Sequence, residues 1–322
     1  LAARSAAPAL MAGNVVLFKH DPHVPACAEA LAEHAAKALP PGILQAIFAD
    51  TVGTEKVMRD KRVQAVSFTG STRAGKIVSE IAGSELKPAV LELGGSDPAI
   101  VLRDAALDDA CKTIVTSRII NAGQSCIAAK RILVEKPIYA KFVEKIRARL
   151  EALKVGDPSS EDTDVGPLAR ADLRENLHRQ VTQSISAGAK CLLGGELPNT
   201  PGYFYPPTLL TDVPTDSPAF CEETFGPVAV VIPVEDAEQA ISLANQTEYG
   251  LAAAVWCDSA RGEEMAARLE TGQVAVNGIV KTDPRLPSGG VKNSGLGRDL
   301  GPHGIREFVN IQQVWVGPAR PV

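Results

Sequence analysis

Apolar positions along the first hundred residues follow two periods. Short runs at 15–19, 46–49, 64–68, 88–93 and 98–102 are rich in β-branched or other apolar residues and read as buried strands. Between them, 24–39, 52–59 and 73–81 carry helical spacing, and Pro40-Pro41-Gly42 stops the first of these helices. Strands alternating with helices predict a parallel, wound α/β sheet. Farther on, 108–120, 138–153 and 237–245 read as helices, and 228–234, 251–256 and 273–277 as strands. Residues 154–170 and 194–208, rich in Gly, Pro, Asp and Thr, read as loops, and 287–304 is dense in glycine. At the end, 308–316 returns to a strand pattern of a kind that often pairs with another subunit, although an ordinary edge strand fits the sequence as well.

Composition narrows the class. The chain has 322 residues, 45% hydrophobic and 22% charged, with a formal charge of −5. That length suits about two domains, and the balance excludes a disordered chain, a general nucleic-acid binder and a polybasic membrane reader. Residues 5–18 are apolar, but Pro8, Gly13 and Asn14 interrupt them and the stretch is too short to span a bilayer. The cysteines Cys27, Cys111, Cys126, Cys191, Cys221 and Cys257 form no C-x-x-C pair, and no histidine spacing suits zinc. Scattered thiols fit a reducing cytoplasm, and no metal site is expected.

Three segments carry candidate chemistry. Gly70-Ser71-Thr72 stands between a strand and a helix, where backbone N–H groups and the helix dipole suit a pyrophosphate; a simple N-cap would use the same residues. Asn121-Ala122-Gly123-Gln124-Ser125-Cys126 places a thiol after a glycine turn among small and polar neighbours, a setting for a nucleophile, although buried cysteines often only pack. Glu92 ends an apolar strand before Gly94-Gly95, where burial would raise its pKa toward that of a general base; a capping or ion-paired glutamate fits as well.

Taken together, the runs 11–17, 68–72, 91–95, 123–126, 222–227 and 289–295 resemble the aldehyde dehydrogenase superfamily, in family order and from end to end of the chain. The resemblance implies an α/β fold with a partial Rossmann-like dinucleotide-binding domain at 1–93, a catalytic domain at 94–300 and a C-terminal return and oligomerisation arm at 301–322. It implies Cys126 as the nucleophile and Glu92 as the base for the deacylating water. Lys19 matches the lysine at the adenosine ribose, Gly70 and Ser71 the pyrophosphate contacts, and Glu223 and Phe225 the surroundings of the nicotinamide ribose. The implied reaction is NAD(P)-dependent oxidation of a small-molecule aldehyde to its acid, through a thiohemiacetal and a thioester, in a cytoplasmic homo-oligomer.

The runs 19–22, 95–98 and 128–131 resemble bacterial-type succinate-semialdehyde dehydrogenases, which makes succinate semialdehyde the expected substrate. Pro22 stands where many relatives place a ribose-binding acid, which admits NADP and favours it. Ile120 replaces an arginine that one branch uses to grip the substrate carboxylate, leaving Arg118 as the candidate for that role. Ser288 replaces a common aromatic residue, and Asp299 a common glutamate in a possible proton path. The chain opens at Leu1 within a helical pattern and lacks the family's upstream oxyanion-hole asparagine run. A fragment of the full-length enzyme is therefore expected, with two alternatives: a non-catalytic polypeptide or interaction subunit, and a coenzyme-independent thiol esterase.

Overall fold

The computed structural model describes residues 2–317. Its centre is a seven-stranded sheet in the order Gln273–Val276, Ala252–Trp256, Pro98–Val101, Arg131–Glu135, Val228–Val234, Thr208–Thr211 and Lys190–Leu193. All neighbours are parallel except the last pair. The central strands are buried along nearly their whole length, as a sheet covered on both faces requires. Successive side chains enter opposite cores: Leu133, Val230 and Ile232 meet Leu177, Val181 and Phe220 on one face. On the other, Ile132, Val134 and Val231 meet Ile114, Phe142, Ile146 and Leu150.

A second sheet has three strands. Val66–Thr69 runs parallel to Ala89–Glu92, and Gly295–Leu296 closes antiparallel on the latter, pairing Gly295 with Glu92. This closure brings the glycine-dense loop from near the end of the chain against the strand that carries Glu92. Val16–Phe18 pairs with Leu44–Ala46 in a parallel two-stranded sheet, so the strand expected at 46–49 lies slightly earlier.

The wound α/β reading holds, with two corrections. The sheet also contains Arg131–Glu135, Thr208–Thr211 and Lys190–Leu193, and the helices Ala171–Ser186 and Ser259–Ala266 add to those expected. Residues 310–317 form no strand, and Ile311, Val314, Trp315 and Val316 are exposed. A strand exists only against a neighbour, and among the described residues none pairs with this stretch. The rest of the expected arm, 318–322, lies outside the described residues. Among the described residues no helix is long and apolar enough to cross a membrane.

Candidate active site

The helix Leu107–Ile119 runs into a short turn, Ile120–Gly123, in which Asn121 and Ala122 have φ of 54° and 53° and Gly123 has φ 76°. Left-handed backbone at non-glycine residues costs on the order of 1–3 kcal/mol each and persists only where the surroundings enforce it. Here Asn121 and Gln124 exchange side-chain-to-backbone hydrogen bonds, each 3.1 Å. The Gln124 Oε1 also accepts from the Ala169 N–H at 2.9 Å. A Cβ on Gly123 would overlap the Gly226 carbonyl, so only glycine fits this crossing. Cys126 sits on the reversal that follows, partly exposed.

Two buried cations hold this turn from below. Arg118 is fully enclosed, and its guanidinium donates to the carbonyl oxygens of Gly123 (2.7 Å), Ala129 (3.4 Å) and Thr224 (3.4 Å). The expected role of Arg118 as a substrate grip needs correction on that ground: it points into the protein and braces the chain on both sides of Cys126. Lys130 is also enclosed. Its Nζ donates to the carbonyls of Cys126 (2.7 Å) and Ser125 (3.1 Å) and lies 3.5 Å from the Glu223 carboxylate. Burial pushes the Cys126 thiol up from its usual range, while the Lys130 ammonium pulls it back.

Glu92 ends its strand almost fully buried, with Oε2 3.3 Å from Arg4 Nη2 and Oε1 without a protein hydrogen-bond partner. Arg4 also donates to the Ser288 hydroxyl at 2.9 Å and lies 3.3 Å from the Asp299 carboxylate. Ser288 and Asp299 exchange two backbone hydrogen bonds of 2.8 and 2.7 Å, which fixes the glycine-dense loop beside Glu92. Desolvation pushes the Glu92 carboxyl up to about 7 against the pull of Arg4, with the nearby Asp299 charge acting in the same direction as burial. Burial likewise raises Asp299.

Of the candidate coenzyme residues, Gly70 and Glu223 are tied directly to this region: the Gly70 N–H donates to the Glu92 carbonyl at 3.0 Å, and the Glu223 carboxylate meets the glycine pair. Ser71 caps the helix Thr72–Ser84 by accepting from the Ala74 N–H at 3.3 Å, and Gly70 and Ser71 are exposed at the end of Val66–Thr69. Lys19 is exposed just past Val16–Phe18. The Glu223 carboxylate accepts from the Gly95 N–H at 3.1 Å, and Phe225 is half-buried two residues on. A Cβ on Gly94 would lie 2.5 Å from Glu223 Oε2 and 3.2 Å from the Thr72 hydroxyl. One on Gly95 would lie 2.9 Å from the Cys126 carbonyl oxygen. The helix start, Glu223 and the nucleophile turn thus converge on a glycine pair, and Leu93 alone separates that pair from Glu92.

Sequence reasoning missed Arg4, Asp97 and Lys130 as members of this site. Arg4 is the single charge in the small-residue helix Ala2–Met11, a signal that was available. Asp97 and Lys130 lie within runs that stood out only for their resemblance to one subgroup. Both prove fully buried, and the Asp97 Oδ1 accepts from the Ala252 N–H at 3.2 Å.

Known proteins match this arrangement along nearly the whole chain. A model of the aldehyde dehydrogenase family covers residues 1–314. A succinate-semialdehyde dehydrogenase [NADP(+)] 1 of Mycobacterium tuberculosis is 49% identical over 317 residues, which are 98% of this chain and 69% of that protein. A probable succinate-semialdehyde dehydrogenase [NADP(+)] of Synechocystis is 48% identical, over 97% of this chain and 69% of its own length. The crystal structure of a Streptococcus pyogenes succinic semialdehyde dehydrogenase in complex with NADP+ superposes with a TM-score of 0.95 at 35% identity, covering 98% of this chain and 70% of that one. The chain belongs to the aldehyde dehydrogenase family.

Proposed function

We propose that this chain oxidises succinate semialdehyde to the dicarboxylic acid with NADP, using Cys126 as nucleophile and Glu92 as base. The observation that carries the reading is the convergence at Gly94-Gly95 of the nucleophile turn, the Glu223 carboxylate and the start of the Thr72–Ser84 helix, next to a buried glutamate. The names of the mycobacterial, cyanobacterial and streptococcal relatives support the substrate and the coenzyme.

The residues present fit a dinucleotide. An exposed helix start beyond a strand end offers N–H groups and a positive dipole to a pyrophosphate at Gly70 and Ser71. Lys19 would hold the adenosine ribose, and Glu223 with Phe225 the nicotinamide end. Pro22 presents no carboxylate, and the neighbouring Asp21 is turned onto its own loop, accepting from the His23 N–H at 2.9 Å. Nothing at position 22 therefore repels a 2′-phosphate. The bound nicotinamide supplies the hydride acceptor.

The remaining steps belong to the side chains. The Cys126 thiolate adds to the aldehyde carbon, forming a C–S bond as the carbonyl electron pair moves to oxygen, where the Cys126 backbone N–H is the available donor. Loss of hydride leaves a thioester. Glu92 then takes a proton from water at its unpartnered Oε1 while Arg4 holds Oε2; the resulting hydroxide attacks, and the C–S bond breaks to return the thiolate. Residues 1–93 serve the coenzyme and 94–300 the chemistry. The exposed apolar tail within 301–322 pairs with a second copy in a cytoplasmic homo-oligomer.

Glu92→Gln tests this sequence of steps. With succinate semialdehyde and NADP it is expected to form one equivalent of reduced coenzyme and then stop, with the acyl mass retained on the Cys126 peptide. Continued turnover, or an acyl group on another residue, would overturn the assignment.

A further inference from the structure

We infer that Lys130 is a positioning residue for the nucleophile, its enclosed ammonium holding the Cys126 turn and tying it to the Glu223 carboxylate. The inference rests on the reading of Cys126 as the attacking thiol.

An ammonium group is costly to bury unless its protons are used. Those of Lys130 are directed at one turn, to the Cys126 and Ser125 carbonyls at 2.7 and 3.1 Å, with the Glu223 carboxylate 3.5 Å away. Its backbone is held as firmly. The Lys130 N–H donates to the Asp97 carbonyl at 3.0 Å, and its own carbonyl accepts from the Val230 N–H at 3.3 Å. The side chain therefore leaves a fixed point in the sheet, just before the strand Arg131–Glu135, and ends under the sulfur-bearing residue. The Glu223 oxygen nearest Lys130 also takes the Gly95 N–H. One cation thus links the nucleophile, the glycine pair and the candidate coenzyme carboxylate.

The charge has a second effect. The ionisable groups facing Cys126 are Lys130 from this strand edge, Asp97 from the loop before Pro98–Val101, Glu223 from the loop after Pro218–Cys221, and Glu92 from its strand end. Lys130 is the cation among them, and the three carboxylates disfavour the thiolate. A neutral residue at 130 would leave that thiolate against three acids.

The test is the pH dependence of Cys126 alkylation by iodoacetamide, mapped on the Cys126 peptide by mass, in Lys130→Arg, Lys130→Gln and Lys130→Met. The Gln and Met variants are expected to move the midpoint upward by about one pH unit, making alkylation at neutral pH about tenfold slower. Lys130→Arg is expected to stay near the wild-type midpoint with reduced kcat, since its planar group meets the carbonyls differently. Should Lys130→Met fail to fold, Lys130→Gln, which keeps a donor but no charge, carries the same comparison. Folded neutral variants with the wild-type midpoint would overturn the inference. A Cys126→Ala variant that kept full turnover would instead overturn the reading beneath it.

Discussion

Arg4 Nη2 stands 3.3 Å from the Glu92 carboxylate, so the base of the proposed hydrolytic step is held by a residue from the first helix. Arg4 favours the charged form of a carboxyl that burial has pushed up to about 7. A base works when deprotonated, so the hydrolytic rate should rise with pH through about 7. Arg4→Leu should move that ascending limb upward by about one pH unit and so slow turnover at neutral pH about tenfold. Arg4→Lys should restore most of it. A pH–kcat profile checks both, and an unmoved limb in Arg4→Leu would separate Arg4 from Glu92.

Asp97 makes a prediction about stability. Fully enclosed, its carboxyl is pushed up to about 7 by burial, against the pull of Lys130. A carboxyl raised in the folded state favours folding while it is protonated, and that contribution is lost as pH rises from the unfolded value of 3.8 through about 7. The thermal midpoint should therefore fall between about pH 4 and pH 7 and level off above that, and Asp97→Asn should flatten the fall. Calorimetry across that range decides, and equal slopes in the two proteins would contradict the assignment.

Arg118 should behave as a brace. Arg118→Lys replaces the two guanidinium nitrogens that serve the carbonyls of Gly123, Ala129 and Thr224 with a single ammonium. It should cost about 2 kcal/mol of stability through orphaned acceptors. Its KM for succinate semialdehyde should change no more than its KM for butanal, which has no carboxylate. A rise confined to the acidic aldehyde would return Arg118 to the substrate.

Coenzyme choice can be probed at Pro22. A carboxylate there should repel a 2′-phosphate and accept a ribose 2′-hydroxyl. Pro22→Glu should change the ratio of kcat/KM values from NADP toward NAD by about tenfold or more, equivalent to about 1.4 kcal/mol. Steady-state kinetics with both coenzymes measure it, and an unchanged ratio would place the discrimination elsewhere.

Much of this arrangement was legible in residue order. The runs at 98–102 and 228–234 are almost purely apolar, short and rich in β-branched residues, which fits strands buried on both faces. Cys126 stood out because Gly123 and its polar neighbours describe a turn, and Glu92 because it ends an apolar run. What stayed hidden depends on partners distant in sequence. Arg4 meets Glu92 and Asp299 only after Gly295–Leu296 folds back onto Ala89–Glu92. Lys130 is buried because strands from three parts of the chain pack around it, and no local pattern marks a lysine for burial. Arg118 looked like a helix-end charge available to substrate; its burial comes from the loop that carries Thr224. The tail at 308–316 has the composition of a strand, but a strand's hydrogen bonds require a neighbour, and among the described residues none pairs with it.

The most direct test is formation of reduced nicotinamide by the purified chain with succinate semialdehyde, run with NADP and with NAD, beside Cys126→Ala. The proposal requires coenzyme-dependent turnover, greater with NADP, that the substitution abolishes. A folded wild-type chain that reduces neither coenzyme, or a Cys126→Ala variant that still does, would contradict it.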